Sequence, residues 1–138
     1  MREVVVSGRR LPLSSALVRR VVEAVLAGER RHALISVTFL GRDAMRRLNR
    51  RHKAHDRPTD VLSFAMADPG GSTVGDVYVC AWVAAQEARS RGIPLREELI
   101  RLVVHGTLHA LGREHPEGPG RTTSPMWRRQ ERYVSALV

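Results

Sequence analysis

The chain has a single cysteine, Cys80, so no internal disulfide can staple it. One thiol fits a reducing compartment, and the cytoplasm is the expected location. Aromatic residues are scarce, with two Trp, two Tyr and two Phe in 138 residues. That argues against a recognition surface built from several stacked rings. No apolar run approaches the roughly 20 residues that cross a bilayer. The most hydrophobic stretch, residues 99–111, is broken by Arg101 and two histidines, so no membrane partner is expected. Near the N-terminus only three valines are consecutive, too few for a signal-peptide core. Repeats, low-complexity tracts and linkers are missing as well. Lysine is almost absent, because Lys53 stands alone beside 22 arginines.

What is present describes one globular domain spanning residues 1–138, with 43% apolar and 27% charged residues. The formal net charge of +9 favours a polyanionic partner such as nucleic acid. With so few rings, such contacts fall mainly on the phosphate backbone.

Pattern reading gives nine elements. Residues 4–6 read as a strand, and 12–27 as a helix with Ser14 or Ser15 as cap and Gly28 as stop. The β-branched stretch 33–40 is a strand and 43–51 a helix, followed by a loop at 52–58 that ends in proline. Strands at 60–66 and 76–80 flank the turn sequence DPGGS at 68–72, so that pair is expected to be antiparallel. Helices follow at 82–91, from Pro94 to Leu111, and at 126–137, with an irregular stretch after Gly112. The order β-α-β-α-β-β-α-α-α predicts an α+β domain, a small mixed sheet packed with helices.

Chemistry concentrates near residue 110. His105 and His109 lie four apart on the long helix, about 40° from one another around its axis, so both rings leave one stripe. Glu98 and Arg101 continue that stripe toward the N-terminus. Gly112 can reverse the chain by a left-handed conformation, which lets His115 fold back toward the pair. Three neutral nitrogen ligands with a fourth position left open are the ligand count of a catalytic zinc site, and one zinc ion per chain is expected. Gly106 stands where zinc proteases of the H-E-x-x-H type carry their glutamate base, which excludes that chemistry. A glycine there is expected to let another backbone pack close.

At these residues the sequence resembles the YbeY family of bacterial rRNA-maturation endoribonucleases, whose signature is H-G-x-L-H-x-x-G-x-D-H. Here it runs His105-Gly106-Thr107-Leu108-His109-Ala110-Leu111-Gly112-Arg113-Glu114-His115. Upstream, Pro58-Thr59-Asp60-Val61-Leu62-Ser63-Phe64 matches the P-T-D-V-L-S-F block. Gly75-Asp76-Val77 begins the G-D strand, and Met126-Trp127 with Gln130-Glu131 resembles M-F-x-x-Q-E. Glu114 replaces the usual aspartate, Ala65 replaces a frequent proline, and Lys53 stands where the family usually has arginine near the metal.

The resemblance implies an α+β fold with zinc on His105, His109 and His115. It implies cleavage of single-stranded RNA in 16S rRNA 3′-end maturation and ribosome quality control. Expected partners are the 16S rRNA precursor and the ribosome or its small-subunit proteins. Lys53 becomes the candidate catalytic cation, stabilising charge on the scissile phosphate. No general base stands out. The competing reading is a zinc-stabilised ribosome-assembly factor that cuts nothing.

Overall fold

Residues Ala33, Ile35, Val37 and Phe39 are buried and their neighbours half-buried, so strand β2 (Ala33–Leu40) turns one full face to a core. In the computed structural model, which describes residues 1–67, 71–116 and 118–138, β2 lies within a four-stranded sheet. Its neighbours β1 (Arg2–Ser7) and β4 (Thr73–Cys80) run parallel to it. Strand β3 (Val61–Ala67) pairs antiparallel with β4, and the spatial order is β1-β2-β4-β3. Five α-helices are present among the described residues: α1 (Ser15–Glu29), α2 (Arg42–Lys53), α3 (Ala81–Arg91), α4 (Leu95–Ala110) and α5 (Pro125–Leu137). The molecule is thus a small α+β domain with a mixed sheet, in the predicted element order. Most of the expected turn at 68–72 lies outside the described residues.

Helix α4 is the centre of the packing. Every residue from Glu98 to Leu108 is buried, and the helix touches β3, β4, α1, α3 and α5. Its valines and leucines join Val18, Val21, Val22, Val25 and Leu26 of α1 over the buried face of the sheet. Helix α2 packs separately, with Met45 against Leu62 and Cys80 in a second, smaller cluster.

Three local expectations need correction. Helix α1 starts at Ser15, where Ser14 Oγ accepts the Leu17 amide at 3.1 Å, and it does not stop at Gly28. The chain reverses at Arg30, with φ 55°, and Gly28 serves packing: a Cβ there would lie 2.1 Å from the Tyr133 hydroxyl of α5. The supposed loop at 52–58 begins two residues later, because His52 and Lys53 form the end of α2 and Ala54 takes the left-handed turn at φ 59°. The sequence offers no glycine to mark that end. At Gly106 the close neighbours are side chains, not backbone; a Cβ would lie 2.4 Å from Val77 Cγ1 and 3.1 Å from Ser63 Oγ. The glycine lets α4 sit down on β3 and β4, and the Ser63 hydroxyl donates to its carbonyl at 2.9 Å.

Candidate metal centre

Burial of α4 on nearly every side determines where its histidines point. His105 is 6% exposed, and its ring faces the end of the helix at which the chain turns. There Gly112, at φ 94°, donates to His109 O, and Arg113 N donates to Leu108 O, the paired bonds of a Schellman motif. The reversal carries His115 back over His109. The three ring centroids stand 4.8, 5.1 and 5.0 Å apart, and one ligand nitrogen from each lies within 4.8 Å of the others.

Two of these rings have their other nitrogen tied off. His105 Nδ1 is 2.7 Å from Gln130 Oε1 on α5. The Gln130 amide nitrogen donates to Glu131 at 3.0 Å, which turns its carbonyl oxygen toward the histidine. Nδ1–H is therefore the donor and Nε2 keeps its lone pair. His115 Nδ1 donates to Pro116 O at 3.0 Å, with the same result. Such partners fix both tautomer and ring orientation in metal sites. Desolvation also favours the neutral form of the two rings on the helix, pushing the His105 pKa down to about 4 and lowering that of His109. Three neutral imidazoles that share a focus, without a cysteine, can hold one metal ion.

Behind Gln130 the support is ionic. Arg101 donates to Glu131 at 2.9 Å through both Nε and Nη2, to Glu97 at 3.1 Å and to Glu98 at 3.3 Å. Glu98 also accepts from Arg91 at 3.0 Å. Burial raises the Glu98 pKa, and its arginine partners oppose that rise. The chain of contacts from Arg101 through Glu131 and Gln130 to His105 anchors the most buried ligand.

In front of the histidines lies a cleft of about 580 Å³, lined also by Lys53, Asp60, Ser63, Glu114 and Arg121. Lys53 occupies its mouth as the exposed last residue of α2, with Nζ 6.0 Å from the Phe64 ring centroid. Arg121, which begins a short 3-10 turn (Arg121–Thr123), adds a second cation. Asp60 contributes a carboxylate whose pKa is raised by burial; its Oδ1 accepts the Val61 amide at 2.8 Å. The sequence reading singled out His105, His109, His115 and Lys53, and the fold brings all four to one cleft. It missed Gln130 as a ligand partner and Arg121 and Asp60 as lining groups. The Q-E pair of the resemblance was the available signal for Gln130, although nothing local linked it to His105.

Fold and centre together define a class: α+β domains that present three histidines from a buried helix and its following turn to a cationic cleft. Within that class, a family model described as Endoribonuclease YbeY matches residues 10–138, and the chain belongs to that family. It is 37% identical over 131 residues to an endoribonuclease YbeY of Chlorobium luteolum, covering 93% of this chain and 92% of the relative. The corresponding protein of Geobacter sulfurreducens is 35% identical over 136 residues, covering 94% and 90%. A solution structure of a Thermotoga maritima protein superposes with a TM-score of 0.69 at 27% identity, over 97% of this chain and 88% of that one.

Proposed function

We propose that this chain is a zinc-dependent endoribonuclease that cuts single-stranded RNA during 16S rRNA 3′-end maturation and ribosome quality control. It works in the cytoplasm on the 16S rRNA precursor, alongside the ribosome or its small-subunit proteins. The observation that carries this reading is the convergence of three histidines, two of them tautomer-fixed, on a cleft edged by Lys53 and Arg121. Family membership supplies the reaction class, phosphodiester hydrolysis.

His105, His109 and His115 would hold the ion, which when bound supplies a Lewis acid for a phosphoryl oxygen and activates water. The protein's own groups do the rest. Lys53 and Arg121 draw the phosphodiester into the cleft and offset the negative charge that grows on its oxygens as water adds and the RNA oxygen leaves. Ser63 and Gln130 keep the helix and the first histidine in place.

The decisive experiment is single-turnover cleavage of a short single-stranded RNA by zinc-loaded protein, with and without chelator. Cleavage that survives complete metal removal overturns the zinc assignment. RNA binding without cleavage at full zinc occupancy returns the assembly-factor reading. At matched zinc content, Lys53→Ala is expected to slow cleavage by about 10²-fold, while Lys53→Arg retains most of it. A wild-type rate in the alanine variant removes Lys53 from the chemistry. Mapping 16S 3′ ends in depleted cells tests the cellular role.

A further inference from the structure

Helix α2 carries six cationic side chains and one carboxylate, Asp43, far more charge of one sign than holding Met45 in its pocket requires. Arg42 pairs with Asp43 at 3.3 Å and Arg46 with Asp56 at 2.9 Å, both in solvent. Among the described residues Arg47, Arg50, Arg51 and Lys53 have no ion-pair partner, and all four are exposed. The helix has a site at each end. At its C-terminus Lys53 lines the three-histidine cleft. At its N-terminus the Arg42 guanidinium lies 5.3 Å from the ring centroid of Trp82, a tryptophan left 44% exposed. Arg9 and Arg10 share with Trp82 a hollow of about 290 Å³ floored by Phe39 and Leu40. The two ends share one end of the sheet, where β4 finishes and β3 begins. The Cys80 amide, two residues before Trp82, donates to Asp60 O at 2.8 Å, and Asp60 lines the histidine cleft.

We propose that α2 is a binding track for single-stranded RNA, leading from the histidine cleft to a terminal subsite where one base stacks on Trp82 and its phosphates lie against Arg9, Arg10 and Arg42. The proposal rests on the reading of RNA as substrate. Charge complementarity selects a polyanion, and the exposed ring selects one whose bases are free to stack. A duplex keeps its bases inside the helix and cannot offer a face to Trp82. Twelve residues of helix span about 18 Å, which matches about five nucleotides at the ~3.4 Å spacing of a stacked strand. The nearby carboxylates do not block the path, since Asp43 and Asp56 are each engaged by an arginine of the same helix. Sequence scarcity of aromatics excluded a platform of rings; a single ring at the end of an arginine ridge is what the fold provides.

The test uses full-length protein carrying Trp127→Phe, so that Trp82 is the sole tryptophan, with metal stripped by chelator to prevent cutting. Oligouridines of 4 and 12 nucleotides and a 12-base-pair RNA duplex are the probes. The 12-mer is expected to quench Trp82 fluorescence and to bind at least tenfold more tightly than the 4-mer, while the duplex leaves the fluorescence unchanged. Trp82→Ala is expected to weaken 12-mer binding by roughly 5- to 100-fold, with Trp82→Phe recovering most of it and 4-mer binding unaltered. Affinity independent of length, or RNA binding that leaves Trp82 unquenched, overturns the track. Metal-loaded protein separates the two readings. Cutting with no dependence of KM on RNA length removes the track and leaves the nuclease, whereas Trp82 quenching without any cutting supports the track and removes the nuclease.

Discussion

On α4, Arg101 is 7% exposed and gives its guanidinium to Glu97, Glu98 and Glu131; on α2, Arg47, Arg50 and Arg51 face solvent with no carboxylate partner among the described residues. The contrast follows from where each helix sits. A buried charge is tolerated only when paired and hydrogen-bonded, so acids of α4 and α5 surround Arg101. An exposed charge needs no partner, and α2 leaves its arginines available to an outside one. The net charge of +9 is therefore not spread evenly: Arg101 of α4 is neutralised to hold a ligand in place, and Arg47, Arg50 and Arg51 of α2 remain open to a polyanion.

Breaking the α4 half is expected to give the largest effect. Arg101→Ala leaves the buried Glu98 with Arg91 as its one remaining partner and removes two bonds from Glu131, and should cost about 3 kcal/mol in urea unfolding. Pairing Arg101→Met with Glu98→Gln removes the charge on both sides and should restore much of the loss. An Arg101→Ala protein with unchanged stability would show that the cluster is not needed to keep α4 buried.

Acid tests the same interior from its histidine end. In the unfolded chain His105 titrates near 6.5, and in the folded metal-free protein near 4, chiefly because burial penalises its charged form. Above pH 6.5 both states are neutral there and stability is intact. As pH falls from 6.5 toward 4, the unfolded chain takes up a proton that the folded chain refuses, so stability drops and then levels off. Between pH 7 and pH 5 this one group should remove about 2 kcal/mol from chelator-treated protein. His105→Leu should flatten that slope in urea titrations at the two pH values; an unchanged slope assigns the acid sensitivity elsewhere.

How much of this was readable beforehand divides along the same line. Element order and the antiparallel β3–β4 pair followed from local periodicity and turn chemistry, which the chain carries openly. The ends of α1 and α2 did not, because Arg30 and Ala54 take left-handed turns that their residue types do not announce. His105, His109 and His115 were legible because helix spacing and one glycine turn bring them together within 11 residues of chain. Gln130 lies 25 residues beyond His105 and meets it only through the packing of α5 on α4. The Trp82 hollow gathers residues from three separate segments and has no signature in any of them.

Gln130 offers a smaller and sharper break. Gln130→Ala leaves the His105 Nδ1–H without its acceptor and frees the ring to turn, so zinc affinity should fall by about 10- to 100-fold with the fold intact. Competition with a chromogenic chelator measures it. Wild-type affinity in this variant would mean that burial alone orients His105.

The smallest expected effect on stability belongs to Arg50, in the open half of the comparison. It is exposed and has no ion-pair partner among the described residues, so Arg50→Ala should shift the urea midpoint by no more than ~0.5 kcal/mol equivalent. Its effect should appear in the salt dependence of RNA binding instead. Each phosphate contact to a single strand releases counterions and contributes about −0.7 to the slope of log K against log salt. Losing Arg50 should make the 12-mer slope shallower by about that amount while the 4-mer slope stays unchanged, since the short strand reaches only the histidine cleft. Titrations at three salt concentrations suffice. A slope unchanged for both lengths would place Arg50 among merely solvated charges, and an equal change for both would move the short strand's own binding site out onto α2.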